Sequence, residues 1–476
     1  MDILAFLINL TFVMALGFYL ITNLQWYDYK IERVVLKHHK PLWHFALFVL
    51  PFVLYYVLPE YFIFVLVAYL AGLGFWYYKL DKKLVFTWRV KRFLILLFAI
   101  TFFLNMLTMI KGFDAYSFVF LPLLLTYVGS KGAENYMFMA YKKEAQKNLL
   151  ARKELKIVCV TGSYGKTSMK NFIAQLLSTK YKVYATPRSV NTIAGLVRDV
   201  NMDLPSDTEV YVCEAGARLR GDIYTIAQFL HPHIVVVGKV GPQHLEYFKT
   251  VENIQRTKLE IIQSDRLEQA FVHNGVTNEV HKKVDFFGDA ISEVEATLDG
   301  LNFSMQLHGK ALHLETKILG AFNTINLEAS ILVADSLGLS REEIEQGVRK
   351  LESVEHRLQR IDAGGKIILD DGYNGNIDGM LEGVRLLSLH HGRKVIVTPG
   401  LVESTEALNL ELIEAINATC DIAIVTGQLN AELFDKHLQV AEKIMLSDKS
   451  QLTTVLGERT RAGDIILFAN DAPNFI

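Results

Sequence analysis

The chain has 476 residues, with 49 Lys and Arg against 51 Asp and Glu, for a formal net charge of -2. That balance excludes a partner held by bulk charge, nucleic acid included. Hydrophobic residues make up 51% and charged residues 21%, with a mean hydropathy of +0.23, too apolar for a disordered chain and too charged for one lying wholly in a bilayer.

The apolar residues gather in the first third. Five runs approach bilayer-spanning length: Ile3 to Leu24, Trp43 to Leu58, Tyr61 to Tyr78, Phe93 to Ile110 and Phe113 to Ser130. The first is not a secretory signal, because Asp2 stands where a basic flank belongs and no small-residue cleavage site follows. Trp26, Tyr27, Trp43, Trp76, Tyr77 and Trp88 rim the runs, as aromatic residues do at a membrane interface. Asp114 lies only at a span edge, so no ionisable relay is expected inside. Basic residues fill alternate connections. The first holds Lys30, Arg33, Lys37 and Lys40, and the third holds Lys79, Lys82, Lys83, Arg89, Lys91 and Arg92. The second has none and the fourth only Lys111. The positive-inside rule then puts the N-terminus outside and everything after Ser130 in the cytoplasm. The expected arrangement is a multi-pass membrane anchor or a platform for a lipid-linked substrate over residues 1–130. A basic linker helix over 131–154 follows, with Lys142, Lys143, Lys147, Arg152 and Lys153 suited to an anionic leaflet.

From Ile157 short strands and helices alternate. Ile157–Val160, Val210–Cys213 and Ile234–Val237 are continuous apolar runs, as buried parallel strands should be. Met169, Phe172, Ile173, Leu176 and Leu177 mark one face of a helix, and Ser340-x-x-Glu343 is a capping box that starts another. After Arg360, runs at 367–369, 395–397, 422–425 and 465–468 predict a second, smaller α/β domain. Cys159, Cys213 and Cys420 are too few and too scattered for a disulfide framework and read as reduced structural thiols.

Thr161-Gly162-Ser163-Tyr164-Gly165-Lys166-Thr167-Ser168 follows the first strand and opens a helix, the context of a phosphate loop. Val160 stands where the full Walker pattern has its first glycine, so the loop is a shortened variant. Backbone amides and the helix N-terminus would cradle phosphates, Lys166 would neutralise their charge, and the Thr167 hydroxyl would hold Mg²⁺. Glu214, ending another buried strand, is placed as a Walker-B-like acid. A transport ATPase of the Leu-Ser-Gly-Gly type and a GTPase with an Asn-Lys-x-Asp base reader are both excluded, since neither signature occurs.

In order along the chain, Gly162 to Thr167, Glu214-Ala215-Gly216-Ala217, Gly241-Pro242-Gln243-His244-Leu245-Glu246 and Arg256-Thr257-Lys258-Leu259-Glu260 resemble the central domain of the Mur ligases. Gly320 to Asn326, Glu355-His356-Arg357 and Asp370-Asp371-Gly372-Tyr373-Asn374-Gly375-Asn376 extend the likeness over residues 155–476. The resemblance implies a P-loop central domain over 155–355 and a smaller Rossmann-like C-terminal domain over 356–476. It also implies an ATP-dependent amide-forming ligase of peptidoglycan precursor synthesis, a process tied to cell shape and division. The likeness is strongest to the branch that adds D-Ala-D-Ala to UDP-MurNAc-tripeptide through an acyl phosphate. Gly162, Ser163, Tyr164, Gly165, Lys166, Thr167, Ser168, Asn323, Asn326, Arg357 and Asp371 would then bind ATP. Lys166, Glu214, His244 and Lys258 would be catalytic. Thr167, Glu214, His244 and a carbamylated Lys258 would hold Mg²⁺ at two sites. The family's small UDP-binding N-terminal domain has no room here, because membrane runs stand in its place. Phe322 replaces the family's histidine beside Asn323, and Phe468 to Pro473 lacks the family's Lys-Gly-Ser. An alternative is a membrane-bound Mur-like ligase or amidating subunit that acts on an undecaprenyl-linked muropeptide.

Overall fold

The computed structural model describes residues 3–27, 29–35, 40–80, 82–111, 118–241, 245–277, 283–402 and 404–470. The chain divides into two compact units, residues 1–141 and 142–476.

Among the described residues, three helices of the first unit are long and apolar enough to cross a membrane: Ile3–Trp26, Pro59–Tyr78 and Trp88–Lys111. Of the five runs expected to span, these three form such helices among the described residues. The second run forms Pro41–Val57, which is shorter and passes through a π-helical stretch at Phe45–Val49. The fifth run begins in residues outside those described. Its described part opens the Phe120–Ala151 helix, which runs on without a break through Lys131, Glu134, Lys142 and Lys143 and so loses its apolar character. Asp114 also lies outside the described residues.

The Ile3–Trp26 helix is the core of this unit, with Phe12, Val13, Leu16 and Tyr19 fully buried. Several polar groups inside are paired. The Asn9 amide donates to Tyr55 Oη at 2.6 Å, and Tyr19 Oη meets His44 Nδ1 at 3.2 Å. Arg89 is ion-paired with Glu134, its guanidinium 3.3 Å from the Tyr29 ring centroid. Phe64, Ile95, Phe103 and Ile110 face outward, each more than half exposed, a density of apolar surface that water does not favour.

The second unit holds three sheets. The first contains β1 (Lys156–Thr161), β2 (Val183–Ala185), β3 (Val210–Glu214), β4 (Ile234–Val237), β5 (Gln269–His273) and β6 (Val284–Phe287), all parallel, in the order β2-β3-β1-β4-β5-β6. The chain leaves β1 toward one side and crosses to the other at β4. The crevice outside the carboxyl ends of β1, β3 and β4 is therefore the topological switch point, where such sheets bind ligands. The second sheet is antiparallel: β7 (Ile291–Ala296), β8 (Leu301–Leu307) and β9 (Lys310–Thr316). Its alternation, with Leu301, Phe303, Met305 and Leu307 inward, packs into the core of the first sheet. Helices Asn323–Ser336 and Arg341–Arg349 follow, and the Ser340/Glu343 capping box is present in full.

The third sheet contains β10 (Gln359–Ala363), β11 (Lys366–Asp371), β12 (Lys394–Thr398), β13 (Ile422–Thr426), β14 (Glu442–Leu446) and β15 (Ile465–Ala469), ordered β10-β11-β15-β12-β13-β14. Only β10 runs antiparallel to its neighbour. Apolar clusters cover both faces, as a parallel sheet requires. Cys159, Cys213 and Cys420 are free and buried.

Candidate active site

β1 delivers the chain to the switch point. Thr161 Oγ1 donates to Ala215 O at 2.8 Å, tying the loop after β1 to the loop after β3. Gly162 takes φ 149°, and a Cβ there would press on the Gly238 backbone at 3.3 Å. The loop is anchored on the far side, where Ser163 N donates to Lys239 O at 3.0 Å and Ser163 Oγ to Gly241 O at 3.2 Å. Gly165 is left-handed at φ 74° and opens the Lys166–Leu177 helix. The first helical bond is Met169 N to Gly165 O at 2.8 Å, which leaves the amides of Lys166, Thr167 and Ser168 ahead of it. Free amides at a helix N-terminus, together with its dipole, favour a phosphate. Lys166 Nζ closes over the loop, donating to Gly162 O at 2.9 Å and Ser163 O at 3.0 Å.

Asn326 reaches the same loop from the Asn323–Ser336 helix. It is oriented by its amide, which donates to Asn323 Oδ1 at 2.8 Å, while the Asn323 amide donates to Leu319 O at 2.8 Å. Any side chain at Gly165 would collide with Asn326 Oδ1. Gly165→Ala therefore carries left-handed strain of about 1–2 kcal/mol plus this collision. It is expected to weaken ATP binding by about tenfold or more, which equilibrium titration with a fluorescent ATP analogue would measure.

Glu214 sits level with Val160 at the end of β3 and is fully buried. Neither carboxylate oxygen has a hydrogen-bond partner, and Lys170 Nζ is 3.2 Å from Oε1. A buried carboxylate with open oxygens, beside a hydroxyl-bearing phosphate loop, has the chemistry of a hard-cation ligand and fits Mg²⁺. Lys258 is buried near the end of the Val251–Leu259 helix. Burial pushes its ammonium down to about 7, with the Lys166 charge adding to the shift and Asp222 and Glu260 opposing it. The Lys166 ammonium is pushed down to about 8, again chiefly by burial, with Glu214 opposing and Arg357 adding. His244 lies outside the described residues, as do Pro242 and Gln243. Among the described residues no three His, Cys, Asp or Glu side chains gather into a metal-binding group.

From the third sheet and the turn before it come Asp371 and Arg357. The Arg357 guanidinium donates to Tyr373 O, and burial lowers its pKa against the pull of Asp371, Glu214 and Tyr373. The Asp371 carboxyl is pushed up to about 7 by burial, against a hydrogen bond from the Asn374 amide at 2.7 Å and the Arg357 charge. The turn before β10 is shaped by His356 and Leu358, both left-handed, with His356 Nδ1 2.6 Å from buried Asp370. Lys239 Nζ bridges to Asp378 at 2.8 Å, linking the β4 loop to the start of the Ile377–Ser388 helix. Thus Lys166, Glu214, Lys258, Arg357 and Asp371 fall within one electrostatic neighbourhood. Thr167 and Ser168 lie in the helix's first turn beside them. Two groups escaped the sequence reading. Lys170 is buried against Glu214, and its signal was a lysine three residues before Ile173 on the apolar stripe. Glu260 had been noted without a role; it accepts from Gly221 N at 2.9 Å and Tyr224 N at 3.1 Å, capping the Asp222–Leu230 helix.

Residues 160–334 match the Mur ligase middle domain. UDP-N-acetylmuramoyl-tripeptide--D-alanyl-D-alanine ligase of Bacillus subtilis (strain 168) is 27% identical over 338 residues, covering 66% of this chain and 72% of the relative. Its counterpart in Escherichia coli (strain K12) is 24% identical over 337 residues, covering 64% and 74%. Among solved structures, MurF ligase from Thermotoga maritima in complex with ADP superposes with a TM-score of 0.60 at 25% identity, covering 70% of this chain and 80% of that one.

Proposed function

We propose that the chain is a member of the Mur ligase family, whose middle domain its residues 160–334 match, and that it is an ATP-dependent amide-forming ligase of peptidoglycan precursor synthesis. The reaction joins D-Ala-D-Ala to UDP-MurNAc-tripeptide. One observation carries this reading: a phosphate loop whose Lys166 faces the open carboxylate of Glu214 at the switch point. The substrate carboxylate takes the γ-phosphoryl group of ATP, and the incoming amine then displaces phosphate. Lys166 and the first-turn amides hold the transferring phosphoryl group in place and offset its charge, the main source of rate in this chemistry. Arg357 approaches the same charge from the C-terminal domain, which we read as a Rossmann-like lid, and Asp371 and Asn326 position the nucleotide.

Thr167 and Glu214 would hold Mg²⁺, which supplies Lewis-acid stabilisation when bound. His244 and Lys258 would complete a second site. A lysine ammonium would repel that cation. Burial leaves a substantial share of Lys258 as the free amine near neutrality, the form that takes up CO₂, and a carbamate there would present oxygen in place of positive charge.

The apolar helices Ile3–Trp26, Pro59–Tyr78 and Trp88–Lys111 favour an enzyme held at the inner membrane. The basic connections support an N-terminus outside and ligase domains in the cytoplasm, with Pro41–Val57 and the start of Phe120–Ala151 as shorter passes that make five. The same helices favour a second reading, in which the acceptor is an undecaprenyl-linked muropeptide.

Phosphate release by the detergent-solubilised protein with ATP, Mg²⁺ and D-Ala-D-Ala separates the two. Turnover on UDP-MurNAc-tripeptide is expected. Turnover only on its undecaprenyl-linked counterpart would transfer acceptor recognition to the membrane unit. Turnover on neither would overturn the assignment.

A further inference from the structure

Lys170 is a lysine built into an apolar stripe. Its side chain is 1% exposed, among Met169, Ile173 and Leu177 of the Lys166–Leu177 helix. An enclosed ammonium is tolerated only when its donors are met, and here they are. Nζ donates to Thr186 O at 2.6 Å and Arg188 O at 2.5 Å, and it pairs with Glu214 Oε1 at 3.2 Å. Both hydrogen-bonded carbonyls, two of the three partners, belong to the segment between β2 and the Ile193–Met202 helix. The third is the carboxylate at the phosphate loop. The segment is otherwise lightly tethered, through Thr186 N to Val212 O at 3.0 Å and Gly216 N to Asn191 O at 2.8 Å. Arg188 is left-handed at φ 48°, so the carbonyl that meets Lys170 belongs to a backbone conformation that needs holding.

We infer that Lys170 is a positioning residue that couples the carboxylate of Glu214 to segment 186–195, so that binding of a divalent cation with nucleotide tightens that segment. The inference rests on the proposed role of Glu214 as a cation ligand. A cation drawn to Glu214 competes with the Lys170 ammonium for the carboxylate and repels it. The ammonium has no path to water. Its hydrogen bonding therefore shifts toward the carbonyls of Thr186 and Arg188, and the segment becomes more ordered. Segment 186–195 borders Gly216, just beyond Glu214, so an acceptor carboxylate approaching the phosphate loop would meet it already fixed.

The test is amide hydrogen exchange on the full chain in detergent, with a non-hydrolysable ATP analogue in EDTA and then with Mg²⁺. In the wild type, Mg²⁺ is expected to slow exchange across 186–195 by about fivefold or more, the lower end of ordinary coupling between sites. Lys170→Met is expected to lose this protection while the nucleotide still protects residues 162–168. Should Lys170→Met fail to fold, Glu214→Gln keeps the two carbonyl bonds and removes the other end. It is expected to lose the same Mg²⁺-dependent protection. Unchanged protection of 186–195 in either variant, or none in the wild type, overturns the coupling. The readout needs no acceptor, so failure of both muropeptides to turn over would sink the ligase reading and leave this result standing.

Discussion

Replacing Lys166 by alanine is expected to cut ATP-dependent turnover by at least about 10²–10³-fold, the scale of removing one preorganised group aimed at developing charge. Lys166 has no redundant neighbour at this position. Its ammonium spans the loop through Gly162 O and Ser163 O, where a γ-phosphate would lie against the first turn of the helix. Lys170 cannot substitute, since it is enclosed and committed to Thr186, Arg188 and Glu214. Arg357 enters from the turn before β10 and is already bonded to Tyr373 O. The measurement is single-turnover phosphate release at saturating acceptor. Thermal unfolding checks that the variant stays folded, which is expected because Lys166 supports only its own loop. Turnover at the wild-type rate would remove the phosphate-loop assignment.

Lys258→Ala is expected to lose a comparable share of turnover, about 10²-fold or more if an anionic ligand to the cation is lost. Partial recovery is expected on adding formate or acetate. The cause is charge. An unmodified ammonium at Lys258 would stand against Lys166, and that repulsion already adds to the fall in its pKa. A carbamate reverses the sign at the same place and draws both Lys166 and a hard cation toward it. Depleting CO₂ should then slow the wild type while leaving Lys258→Ala unaffected. Loss of activity without rescue, together with indifference to CO₂, would assign Lys258 a packing role in the Val251–Leu259 helix.

Much of the fold was legible because buried parallel strands are written as unbroken apolar runs. The runs at 157–160, 210–213 and 234–237 each became a central strand, as did those at 395–397, 422–425 and 465–468. The antiparallel sheet β7–β9 was not foreseen. Its strands bury one side only, so they read as alternation, clear in Leu301 to Leu307 but lost in β7, where Ser292, Glu293, Val294 and Glu295 are all exposed. Five apolar runs gave three helices of full spanning length among the described residues, because an apolar run records composition and not helix length. Pro41–Val57 falls short, and Phe120–Ala151 continues into charge.

The local chemistry of the site was set along the chain. Gly162 and Gly165 are glycines because the loop needs φ of 149° and 74° there, and Lys166, Thr167 and Ser168 follow because a helix must start where the loop ends. Such constraints act between near neighbours, and motif spacing records them. Convergence is a different matter. That Asn326 would come to rest over Gly165, that Arg357 would feel Glu214, and that Lys170 would be sealed between Glu214 and the 186–188 carbonyls depended on strand order and on how the sheets pack together. No spacing along the chain encodes those distances, because they arise only when the sheet brings β1, β3 and β4 side by side and excludes water from between them.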